Sequence, residues 1–110
     1  MIMANKKKSD LSQCPITRTM ELIGGKWTLP IIYVLINETK RFKELERSID
    51  GINTRMLVKE LKQLENSGII VRKVFAEVPP RVEYSLTSKG RELKNVLHEM
   101  KSWGKKNIDF

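Results

Sequence analysis

The sequence predicts an α+β fold, mainly α, in which helices surround one core and a single β-hairpin interrupts them. Three observations carry this expectation. Apolar residues recur at helical spacing through most of residues 14–66 and again over residues 88–103. Between these stretches, Ile69–Phe75 and Arg81–Leu86 are rich in β-branched and aromatic residues and flank Pro79-Pro80. The chain has 110 residues and is 40% hydrophobic, which is room for one domain with one core.

The elements follow in order. Residues 1–13 are polar and include Lys6-Lys7-Lys8, and they are expected to form a flexible basic arm ahead of one domain over residues 14–110. Cys14-Pro15 opens the first helix, with proline at the first helical position. Ile16, Met20 and Ile23 give that helix an apolar face, and Gly24-Gly25 ends it. Lys26–Ile36 is predicted as a second helix, apolar nearly all round and so central to the core. Pro30 falls in its first turn, where backbone donors lack intrahelical partners anyway. Arg41-Phe42 is expected as a very short strand and Lys43–Ile49 as a short helix, with Phe42, Leu45 and Ile49 inward. Asp50-Gly51-Ile52 is a turn. A longer helix runs over Thr54–Asn66 with Asn53 as N-cap, and Ser67-Gly68 stops it. The hairpin follows, its loop held extended by two prolines. Thr87 or Ser88 then caps a last helix carrying Leu93, Val96, Leu97, Met100 and Trp103. A short helix, a glycine turn and a longer helix make a helix-turn-helix, and the hairpin behind it makes a winged one.

Charge narrows the function. Lys and Arg number 21 against 13 for Asp and Glu, a formal net charge of +8. Such an excess favours a polyanionic partner, nucleic acid ahead of a membrane surface; an inert basic surface is the plain alternative. No apolar run approaches the roughly 20 residues that cross a bilayer, and the polar start is no signal peptide, so a cytoplasmic location is expected. Cys14 and His98 are the only cysteine and histidine. An internal disulfide is therefore impossible, and a structural zinc site is not expected. There is no P-loop, dinucleotide fingerprint or recurrent carboxylate pair, so neither an enzyme nor a cofactor is expected.

The longer helix carries the candidate site. Leu57, Leu61 and Leu64 form one stripe, and Arg55, Lys59 and Lys62 fall nearly opposite. The major groove admits one helix, in which Arg and Lys contact guanine edges and neutralise phosphates. Asn53 and Thr54 lie at its N-terminal end, where free backbone N–H groups also favour phosphate. A merely solvated basic face is the alternative. Arg81, after the two prolines, is expected to reach the minor groove or a phosphate from the wing. Arg41 and Lys43, with Lys40 and Arg47, precede the turn and are placed to hold the DNA backbone, as is Lys26.

Several segments together resemble the HxlR-type family of bacterial winged helix-turn-helix regulators. They are Cys14-Pro15, Leu22-Ile23-Gly24-Gly25-Lys26-Trp27, Arg41-Phe42-Lys43-Glu44-Leu45 and Gly51-Ile52-Asn53-Thr54-Arg55-Met56-Leu57. To these add Leu61-Lys62-Gln63-Leu64-Glu65 and Val78-Pro79-Pro80-Arg81-Val82-Glu83-Tyr84-Ser85-Leu86-Thr87. The resemblance implies a transcriptional regulator that binds double-stranded DNA at a palindromic operator as a homodimer. It further implies dimerisation through the first and last helices, hence through Ile16, Met20, Ile23, Leu93, Leu97, Met100 and Trp103. The alternative is that both stripes only complete the monomer's core. Some members sense oxidants or electrophiles through a cysteine near the N-terminus, and Cys14 matches that position. A helix start and Arg18 one turn on both favour thiolate. With no second cysteine, a disulfide would join Cys14 to the partner's Cys14 or to a small thiol; an inert cysteine is the alternative. Two other functions stay open: a nonspecific architectural nucleic-acid binder, and a protein-interaction module using the same helices. The sequence identifies no small-molecule effector.

Overall fold

The computed structural model describes residues 10–110. The Lys6-Lys7-Lys8 run of the expected arm lies outside them, and Asp10–Gln13 form a 3-10 turn. The order that follows is α1 (Pro15–Ile23), α2 (Thr28–Leu35), β1 (Lys40–Arg41), α3 (Phe42–Ser48), α4 (Thr54–Asn66), β2 (Ile70–Phe75), β3 (Arg81–Leu86), α5 (Ser88–Arg91) and α6 (Lys94–Asn107). The three strands form one antiparallel sheet in the order β1-β3-β2. This is a winged helix-turn-helix with further helices before and after it.

The core lies where α2, α4 and the sheet meet. Ile31, Ile32, Leu45 and Leu57 are fully buried, joined by Leu61, Leu64, Ile70 and Leu86. Trp27, Leu29, Val34 and Ile36 are partly buried and pack around them, so α2 is the central helix, as its composition predicts. It begins at Thr28 rather than Lys26. Residues 25–27 make a turn instead, in which the Thr28 N–H donates to the Gly25 carbonyl at 3.3 Å. Thr28 is a polar residue inside this core, 5% exposed, and its hydroxyl donates to Glu60 Oε1 on α4 at 3.2 Å.

The short strand is Lys40–Arg41, one residue earlier than expected, and it pairs Lys40 with Tyr84 and Arg41 with Glu83. Phe42 opens α3 instead of ending the strand. Glu44 fixes that boundary by accepting the Arg41 N–H at 2.8 Å, which holds the Glu44 carboxyl below its usual pKa range, helped by the charges of Lys40, Arg41 and Arg47. Gly51 turns α3 into α4 with φ +87°, a conformation costly for any residue with a Cβ. Asn53 caps α4 as expected, its Oδ1 accepting the Met56 N–H at 2.8 Å.

The expected single last helix is divided. Thr87 caps α5, its hydroxyl oxygen accepting the Gly90 N–H at 3.1 Å. Gly90 lies so close to β2 that a Cβ there would sit 2.2 Å from the Ile69 carbonyl oxygen. The chain then tightens: the Leu93 N–H bonds the Gly90 carbonyl three residues back at 3.0 Å, and α6 starts afresh. Leu97 is buried in the core and Leu93 packs against it. Among the described residues, no helix is long and apolar enough to cross a membrane.

Candidate nucleic-acid interface

Helix α4 presents two opposed faces. Leu57, Leu61 and Leu64 are at most 2% exposed and hold the helix to the core. Arg55, Lys59 and Lys62 are exposed on the other side. None of the three forms an ion pair among the described residues. Their charge is therefore not cancelled locally, which suits a face that meets polyanion. At the N-terminal end, Asn53 spends its carbonyl oxygen on the cap. The Thr54 hydroxyl donates to Glu46 of α3, which ties the two helices together.

The wing root brings a second set of cations together. Arg41, Lys43, Arg47 and Arg81 line one groove between the start of α3 and β3. The sequence places Arg41 and Lys43 near the turn, but only β1–β3 pairing sets Arg81 beside them. Arg81 itself differs from the expectation of a free arginine on an extended loop. It is the first residue of β3, paired with Phe75 across the hairpin. Its guanidinium lies 4.0 Å from the Phe75 ring centroid, with Nη2 3.1 Å from Glu77 and Nε 3.5 Å from Glu83. The loop bends at Val78–Pro79, a cis peptide, rather than running extended. Lys26 is exposed, its ammonium 4.9 Å from the Trp27 ring centroid.

One further cation stands beside the basic face of α4. Arg72 of β2 shares a groove with Val58, Lys62 and Glu65 of that helix. Alternation in Ile70–Phe75 shows that Arg72 shares a strand face with Ile70, but not that this face meets α4.

The expected dimer residues fall into two groups. Ile16 (74% exposed), Met20 (51%), Met100 (51%) and Trp103 (63%) are apolar side chains facing outward from α1 and α6. Ile23 and Leu97 are instead buried in the protomer's own core, and Leu93 packs against it. Position along the helix separates them on α1: Ile16, Met20 and Ile23 share one face, but only Ile23, at the C-terminal end, is covered by the core. Val96 and Leu22 extend the exposed set. Cys14 is a free, half-buried thiol at the start of α1. The Arg18 expected to assist it is engaged instead by Glu21, at 3.1 Å.

Comparison with known proteins bears out the winged helix-turn-helix fold. A family model for HxlR-like helix-turn-helix proteins matches residues 22–110. The HTH-type transcriptional regulator YdeP of Bacillus subtilis (strain 168) is 46% identical over 100 residues, covering 91% of this chain and 78% of YdeP. Among solved structures, the redox regulator HypR in its oxidized form is similar with a TM-score of 0.82 at 45% identity, covering 88% of this chain and 100% of that one. The reduced form of the transcriptional regulator YodB from B. subtilis has a TM-score of 0.77 at 39% identity, covering 87% and 95%.

Proposed function

The chain belongs to the HxlR-like helix-turn-helix family, and from that premise we propose that it acts in the cytoplasm as a homodimer on a palindromic operator. It is a transcriptional regulator with a helix-turn-helix DNA-binding domain, not an enzyme. The observation that carries the sequence-specific reading is the unpaired Arg55/Lys59/Lys62 face set opposite a buried leucine stripe. Arg55, nearest the helix start, is assigned to base edges. Lys59, Lys62, Arg72 and the Arg41/Lys43/Arg47 groove are assigned to phosphates, with Asn53, Thr54 and Lys26 at the margins. Two copies joined through α1 and α6 place their α4 helices about 34–36 Å apart, one turn of DNA.

Selection of binding sites from genomic DNA, followed by competition against bulk DNA, tests this. A preference of about a thousandfold or more for one inverted repeat is the expected result. Affinity that is salt-sensitive but flat across sequences would replace it with the architectural alternative.

A thiol response through Cys14 is the second part of the reading. It is supported by a free thiol at the root of an outward apolar helix and by likeness to HypR and YodB, of which HypR is named a redox regulator. Diamide treatment is expected to release the operator from the wild type and not from Cys14→Ser. An identical response of the two proteins removes Cys14 as the sensor.

A further inference from the structure

Helix α6 is two-sided. Val96, Met100 and Trp103 are exposed on one side. Lys94, His98, Lys101 and Lys105 recur at i, i+4, i+7 and i+11, so they form one stripe on another. The first three of these line a concave groove against the end of α2, with a volume of about 390 Å³. That is the size of an ordinary small-molecule pocket, about 300–1,000 Å³. Ile36 and Leu97 supply an apolar part of its wall, and no Asp or Glu lines it.

The charges in this groove are not balanced from within. Lys101 Nζ donates to the Tyr33 hydroxyl at 2.9 Å and lies 5.4 Å from its ring centroid. That hydrogen bond and the Lys101 charge hold the Tyr33 phenol below its usual pKa range. Lys94 and His98 have no ion pair or side-chain hydrogen bond among the described residues. Lys94 and Lys101 line this groove with no carboxylate beside them, and such a pair of cations is relieved by an anion, to which His98 can add a hydrogen bond. The apolar wall beside them favours an anion with an apolar body over a bare one. A DNA backbone, by contrast, is met by exposed convex cations such as those of α4 and has no use for an apolar recess.

We propose that the groove between α2 and α6 binds a small organic carboxylate with a ring-sized apolar body. The carboxylate sits among Lys94, His98 and Lys101, and the body rests on Ile36 and Leu97. The occupant bridges the central core helix to the outward helix α6. The assignment is read on the free protein and stands or falls apart from the operator reading.

The test follows amide NMR shifts of the full chain titrated with benzoate, its neutral counterpart benzamide, and inorganic phosphate. Benzoate is expected to shift residues of α2 and α6 around the groove saturably. Benzamide and phosphate are each expected to bind at least about tenfold more weakly, since one lacks the charge and the other the apolar body. The exposed double variant K94Q/H98Q is expected to lose at least about fivefold in benzoate affinity with Tm unchanged. Absence of a saturable shift, shifts centred elsewhere, or equal binding of benzoate with benzamide or with phosphate overturns the proposal. So does a double variant that keeps benzoate affinity and loses affinity for DNA, which would hand the stripe to nucleic acid.

Discussion

Arg55 and Arg81 bring the same charge into different surroundings. Arg55 is exposed and unpaired at the start of α4, whereas Arg81 is clasped by Glu77, Glu83 and the Phe75 ring. Arg55→Ala is therefore expected to weaken operator binding by about 1–3 kcal/mol and relax base preference, measured by gel shift on single-base operator variants. Arg81→Ala should change the salt slope by less than the roughly one unit of a free phosphate contact and should speed amide exchange in β2 and β3. Glu44 gives a pH signature. Its carboxyl is depressed in the folded state by the Arg41 N–H, so the contribution is present above the unfolded pKa and is lost as pH falls through the folded one. Acid unfolding of Glu44→Gln should accordingly be shallower than that of the wild type. The Asn53 cap was legible because capping is local: the oxygen and the N–H it accepts are three residues apart. The clasp on Arg81 was not: Glu77 and Glu83 are only four and two residues away, but whether they reach Arg81 depends on how the loop bends, and the Phe75 ring comes to it through cross-strand pairing.

At the level of elements, α4 is where pattern and packing agree. Its start and stop were readable from Asn53 and Ser67-Gly68, and its buried face from three leucines at helical spacing. Leu57→Ala is expected to cost about 2–5 kcal/mol in denaturant unfolding, since the site is fully enclosed. The last helix shows the opposite case. Apolar periodicity runs through Leu93 unbroken, so the sequence reads as one helix; the observed division at residues 92–93 is a turn closed by the Leu93 N–H on the Gly90 carbonyl, and Gly90 itself packs where a Cβ would meet the Ile69 carbonyl of a distant segment. Backbone cannot yield as a flexible side chain would. Gly90→Ala is thus expected to destabilise by at least about 1–3 kcal/mol, although alanine is the better helix former.

For the molecule as a whole, the outward faces of α1 and α6 leave Ile16, Met20, Met100 and Trp103 in water on a small domain. On the proposed dimer, the wild type is expected to run at twice the protomer mass in light-scattering chromatography, and Trp103→Glu to run as a folded monomer that binds the operator more weakly. Unchanged mass would place the interface elsewhere. A last consequence lies inside the protomer, at the bond between Thr28 and Glu60. Leucines grip a helix by shape, and a shape-held cylinder tolerates a small roll about its own axis. A directional bond does not. Thr28 ties the central helix to α4 through that bond, and Thr28→Val tests whether it sets the angle at which α4 turns Arg55 and Lys59 outward. Replacing the hydroxyl with a methyl in Thr28→Val should cost stability only about 1 kcal/mol. Its larger effect should be on discrimination between bases, as the reading face loses its angular stop while keeping its charge.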